Sequence, residues 1–128
     1  MADTPHGKFI WNELNTYKVE DAKKFLGATL GWTFEGMPMP DYTYWVVKQG
    51  DERVGGIFDL NSIKDRQGIP EHWLSYIGVD DVDARYKKAL AAGAKEGRAP
   101  CDIPNVGRFA IIVQPGGAMV ALMKPRPM

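Results

Sequence analysis

Glu13, His72 and Tyr76 are the side chains of this sequence best suited to moving a proton or gripping a polar ligand. Glu13 interrupts the near-alternating run Phe9 to Leu14, and a carboxylate in an apolar strand is costly to bury unless it is paired. Desolvated, it suits a general base or a ligand anchor; hydrogen-bonded or at a wet strand edge, it is structural. An imidazole at His72 could shuttle protons, although beside Pro70 and Glu71 it also reads as a plain surface residue. Tyr76 could donate a hydrogen bond to a ligand or simply pack with its hydroxyl at a rim. Arg108 could hold an anionic group, or pair with Asp102 or Asp59 to pin a loop. Cys101 is a lone thiol near Arg98 and Asp102, and nucleophilic work would require a depressed pKa and a base. With one Cys and two His, the chain can assemble neither a disulfide framework nor a Cys/His zinc module.

Two similar sets of elements must position these groups. Phe9 to Leu14 reads as a half-buried strand. Asn15 and Thr16 offer N-caps to a helix in which Val19, Ala22, Leu26 and Leu30 form the apolar stripe, closed by Gly31. Trp32 to Glu35 is a short strand and Gly36 to Pro40 a loop. Tyr42 to Gln49 and Arg53 to Leu60 form a hairpin across Gly50-Asp51. A polar linker, 61–71, follows. The order then repeats: a strand His72 to Val79, a helix capped by Asp80 or Asp81 and ended by Gly93, a short strand Lys95 to Ala99, a loop Pro100 to Gly107, and a hairpin of Arg108 to Gln114 with Ala118 to Met123. Leu14 and Val19 stand as far from Ile77 and Val82 as, within a few residues, Val47 and Ile57 stand from Val113 and Leu122. That near-constant offset marks an internal repeat.

Composition excludes several classes. The 128 residues carry 16 Lys+Arg against 16 Asp+Glu, a balance unsuited to neutralising nucleic-acid phosphates or to a polybasic membrane surface. No apolar run approaches the roughly 18 residues that span a bilayer. Met1 to Trp11 lacks a signal-peptide pattern, so a cytoplasmic address is expected. The 14 Gly and 9 Pro fall mainly at turns and so indicate short strands. Gly55-Gly56 inside a strand removes side chains where a ligand or a neighbouring strand approaches closely. No P-loop is present.

Trp11-Asn-Glu13-Leu14-Asn-Thr16, Trp73-x-x-Tyr76, Val79-Asp-Asp-Val-Asp-Ala84, Ala92-Gly-Ala94, Asp102-Ile-Pro-x-Val-Gly-Arg-Phe-Ala110 and Gln114-Pro-Gly-Gly-Ala118 carry a resemblance over about residues 6–125. The sequence resembles the vicinal oxygen chelate superfamily of glyoxalase I, bleomycin-resistance proteins, fosfomycin-resistance enzymes and extradiol dioxygenases. Within it, the chain is most similar to the glyoxalase-like branch related to lactoylglutathione lyase. The resemblance implies an α+β fold: two βαβββ modules, about 7–60 and 72–125, forming a curled, U-shaped mixed sheet with helices on its convex side and a ligand cavity on its concave face. It also implies a homodimer. Catalytic members hold a metal from positions that correspond here to Trp11, Gly56, Leu74 and Ala121. None of these four can ligate a divalent ion through its side chain, so no metal and no other cofactor is expected.

If Trp11 and Leu74 face the cavity, so do their period-two neighbours Phe9, Glu13, His72 and Tyr76, with Met119 from the last strand. The expected site is an apolar, aromatic-lined cleft with a few polar groups, as small-molecule sites commonly are. Trp11, Glu13, Gly56, Leu74, Tyr76, Met119, Ala121 and Arg108 would line it; Glu13, His72 and Tyr76 would carry any chemistry. Three readings follow. One is a small-molecule-binding protein without a metal. The second is a metal-independent enzyme using Glu13, with His72 or Tyr76, for proton transfer beside a carbonyl. The third is a metal-dependent lyase or dioxygenase whose ligands lie elsewhere.

Overall fold

The computed structural model describes residues 6–63, 68–104 and 106–126. The element order is β1 (Phe9–Thr16), α1 (Val19–Leu30), β2 (Thr33–Pro38), β3 (Thr43–Gln49), β4 (Glu52–Asp59), a 3-10 turn (Leu60–Ser62), β5 (His72–Gly78), α2 (Val82–Ala91), β6 (Lys95–Ile103), β7 (Gly107–Val113) and β8 (Met119–Pro125). The class is α+β, with the βαβββ order occurring twice. Contacts divide the chain into one unit of residues 11–73 and another of residues 6–10 with 74–126.

In the 11–73 unit the strand order is β2-β3-β4-β1, with β1 parallel to β4 and the other neighbours antiparallel. Alternation along the strands assigns their side chains to two faces. Val47 and Ile57, 1% and 0% exposed, belong to the face that α1 covers, as does Trp45, whose ring lies 3.4 Å from Lys23 Nζ of that helix. Tyr44, Val46, Gly56, Glu13 and Trp11 therefore belong to the opposite face. Gly31 ends α1 in the left-handed region, at φ 73°, and its N–H donates to the Gly27 carbonyl.

In the other unit the order is β5-β8-β7-β6, with β5 parallel to β8. Its core joins Val79, Val82 and Tyr86 to Ala110, Ile112, Val120 and Leu122. Asp81 caps α2, its carboxylate accepting from the Ala84 N–H at 3.0 Å.

Several local expectations need correction. Strand β2 runs on to Pro38 and β6 to Ile103, through stretches whose Gly and Pro suggest loops. Both are terminal strands of their units' orders, where a missing backbone donor breaks no ladder on the outer side. The N-cap of α1 is Lys18, not Asn15 or Thr16; Thr16 instead accepts from the Lys18 N–H through its hydroxyl at 3.0 Å. Leu30, expected in the apolar stripe of α1, is 48% exposed, and Trp73 of the Trp73-x-x-Tyr76 motif is 54% exposed. In the predicted 61–71 linker, Asn61 and Ser62 belong to the 3-10 turn, while 64–67 lie outside the described residues, as does Asn105 of the predicted 100–107 loop. Among the described residues no helix is long and apolar enough to cross a membrane.

Candidate functional site

Strands β1 and β4 run parallel with Glu13 opposite Gly56, and β3 lies on the other side of β4 with Val46 opposite Gly56. This register carries the Tyr44 ring diagonally across the glycine. A Cβ at position 56 would run into the Tyr44 hydroxyl and ring, so glycine is what lets the phenol lie there. At Gly55 a Cβ would meet the Asn12 carbonyl oxygen of β1 at 2.6 Å. Of the two explanations for the paired glycines, the close approach here is made by neighbouring strands.

The phenol ties the face together. Trp11 Nε1–H donates to the Tyr44 hydroxyl at 2.9 Å, and that hydroxyl donates to Glu13 Oε2 at 2.8 Å. Glu13 is buried, 6% exposed, and Trp11 and Tyr44 are half-buried. Burial first, then the neighbouring Glu13 charge, push the Tyr44 pKa well above its ordinary value of 10.0. Tyr44 thus stays protonated and keeps donating to the carboxylate. The arrangement supplies what a buried carboxylate needs, a donor within reach, and it aligns Glu13 against two aromatic rings.

The structure therefore brings Trp11, Glu13 and Gly56 together around Tyr44, a residue the sequence reading does not single out. The available signal was indirect: two glycines in one strand and a Tyr at an alternate position of its hairpin partner.

The other predicted residues are placed as follows. In the second unit Tyr76 pairs with Ala121 across β5 and β8, and Tyr76, Leu74 and Ala121 are all buried. The Tyr76 ring packs against Phe109, with centroids 6.3 Å apart. Met119 begins β8 and is 40% exposed. His72 lies with Nδ1 2.8 Å from the Pro70 carbonyl oxygen, and since a carbonyl can only accept, Nδ1 carries the hydrogen. Arg108 donates to both Asp83 oxygens, at 2.7 and 2.9 Å, and to Asp102 at 3.1 Å. These carboxylates raise the Arg108 pKa, and the guanidinium in turn lowers that of Asp83. The expected pairing with Asp102 is present. Asp59 plays a different part, accepting from the Asn61 N–H to cap the 3-10 turn. Cys101 lies on β6, half-buried, and accepts from Arg98 Nε at 3.3 Å.

Two clefts open elsewhere in the 11–73 unit. One of about 750 Å³ is bordered by Tyr17, Glu20, Asp41, Tyr42, Trp45 and Asp59; one of about 330 Å³ by Leu14, Phe25, Leu26, Glu71 and Trp73. Neither is bordered by Glu13 or Tyr44.

The repeated βαβββ order, with a parallel β1–β4 pair matched by a parallel β5–β8 pair, frames the comparison with known proteins. Residues 9–122 match the model of the Glyoxalase/Bleomycin resistance protein/Dioxygenase superfamily. The chain belongs to this superfamily. It is 43% identical over 122 residues to "Putative glyoxylase CFP32" of Mycobacterium tuberculosis, covering 94% of this chain and 45% of that protein. It is 25% identical to the anthracycline biosynthesis protein DnrV of Streptomyces peucetius, covering 92% of this chain and 47% of the relative. The chain thus spans about half the length of these relatives. In fold it is similar to the Mn(II)-bound glyoxalase of Novosphingobium aromaticivorans, with a TM-score of 0.59 at 16% identity, over 98% of this chain and 43% of that one.

The superfamily's metal chemistry can be tested against the residues present. Trp11, Gly56, Leu74 and Ala121 offer no ligating side-chain atom, and the space beside Gly56 is taken by the Tyr44 phenol. Among the described residues no three His, Cys, Asp or Glu side chains converge to hold an ion. The residues do not fit the group.

Proposed function

We propose that this chain is a small-molecule-binding member of the superfamily that works without a metal at the family's ligand positions, its ligand resting on Trp11 and Tyr44 with Glu13 as polar anchor. The carrying observation is the Trp11–Tyr44–Glu13 hydrogen-bond chain, which fills the space of a metal ligand at Gly56 and presents two aromatic rings beside a buried carboxylate. Aromatic surface with one anchored charge is a common design for holding a flat organic molecule. A thermal-shift screen of tag-free protein, paired with elemental analysis, tests this. Hits that shift wild type but not Glu13→Gln support the reading; stoichiometric Ni, Zn, Fe or Mn overturns it.

A second reading draws on the same buried carboxylate: Glu13 would take a proton from a carbon beside a carbonyl and return it. Turnover of a screening hit, lost in Glu13→Gln while affinity is kept, would decide for the enzyme. A second copy pairing with this chain, as the resemblance to the superfamily suggests, is part of the proposal, as is a cytoplasmic address. Light scattering showing a monomer at micromolar concentration would refute the pairing.

A further inference from the structure

The geometry points to where the pairing proposed above, on which this location depends, takes place: the face around Phe25 and Trp73, covered by a second copy of this chain about a two-fold axis. Two large aromatic side chains stand exposed there, Phe25 at 67% and Trp73 at 54%. Both border the cleft of about 330 Å³, with Leu14 and Leu26 as further apolar walls. The same face thus carries a projecting ring and a hollow able to take one. Aromatic anchors seated in apolar pockets carry most of the energy of a protein interface. In a two-fold pair, residue i of one copy meets residue j of the other and the reverse, so a ring and a hollow on one face are satisfied twice at once.

The charges of this face are self-complementary as well. Lys18 and Asp21 border the cleft, and among the described residues neither side chain forms an ion pair or a hydrogen bond. Their neighbours on α1, Glu20 and Lys23, do pair, at 3.1 Å. Glu71, on the same border, accepts from the Tyr17 N–H at 3.2 Å. An unpaired ammonium and an unpaired carboxylate on one face find their opposites in a second copy, Lys18 of each meeting Asp21 of the other. A partner of uniform charge, such as a nucleic acid or a basic tail, would be repelled by one of the two. Charges at such a border fix register, while the aromatic centre supplies affinity.

Sedimentation equilibrium of the full chain tests this location, with wild type compared to Phe25→Glu, Lys18→Glu and the exchange Lys18→Glu/Asp21→Lys. Phe25, Lys18 and Asp21 are all exposed, so these substitutions leave the packing of the fold itself in place. Wild type should be a dimer at micromolar concentration. Phe25→Glu should weaken pairing about a hundredfold or more, since it acts once in each copy. Lys18→Glu sets carboxylates against each other and should weaken pairing about tenfold at low salt, a loss that about 1 M salt removes. The exchange puts opposite charges back together and should return the affinity to within about threefold of wild type. A wild-type dimer whose affinity ignores Phe25→Glu overturns this location and leaves the pairing to another surface. A loss in Lys18→Glu that the exchange fails to recover overturns the two-fold contact of Lys18 with Asp21. A wild-type monomer refutes the pairing itself, and this surface with it.

Discussion

Adding one methyl group at Gly56 isolates the central contact of the site. In Gly56→Ala the new Cβ meets the Tyr44 hydroxyl and ring, so the phenol must leave its position. Two losses follow. Overpacking in a filled region costs about 1–3 kcal/mol. The Tyr44 hydrogen bond to the buried Glu13 carboxylate is worth about 1.5–3 kcal/mol more. Replacing glycine in a strand returns about 0.5–1 kcal/mol of backbone entropy. The net expectation is destabilisation by about 3 kcal/mol, large beside the 5–15 kcal/mol that typically holds a domain. The decisive measurement is a double-mutant cycle by urea denaturation. With Tyr44→Ala already in place, the atoms that crowd the new Cβ are gone, so Gly56→Ala should be neutral or slightly stabilising there. The coupling energy should therefore be about 3 kcal/mol. A Gly56→Ala protein within about 0.5 kcal/mol of wild type, or an equal cost in both backgrounds, would refute the reasoning.

Three further outcomes are expected. Asp81→Ala, which removes the side-chain cap of α2, should cost about 1 kcal/mol in chemical denaturation, with Asp81→Asn recovering most of it. Arg108→Ala should lower the melting temperature, since it strips Asp83 and Asp102 of their shared partner; these groups are solvent-exposed, so the loss should shrink markedly at about 1 M salt. Acid should act at Asp80, whose pKa the Arg85 guanidinium lowers from 3.8 to about 2. A carboxylate with a depressed folded-state pKa contributes stability above pH 3.8, and that contribution is lost as the pH falls toward about 2. Arg85→Met should flatten the stability profile in that window, and an unchanged profile would refute the assignment.

The repeated order of strand, helix and hairpin was legible because hydrophobic periodicity is local: each element declares its buried face within a few residues. What escaped was set by neighbours distant in sequence. Pro38 and Pro100 suggest loops on their own, yet terminal strands accommodate them, and position in the strand order is not a local property. Leu30 and Phe25 fit a core stripe by type, but α1 turns them toward solvent, Phe25 being 67% exposed. Glu13, Trp11 and Gly56 could be named from the resemblance. Tyr44 could not, because its role depends on the diagonal from β3 across β4 to β1, a register that composition and spacing leave open.

The fit between Gly56 and Tyr44 also constrains how this site can change over generations. A carboxylate or imidazole at position 56 cannot be accepted while the phenol stands in its place, and shrinking Tyr44 first strips Glu13 of its donor. Each single step toward a metal-ligating side chain is therefore deleterious, though the two together would be compatible. The order of substitutions matters more than their number. While this pair stands, an ion-holding side chain at position 56 is reachable only through both substitutions together.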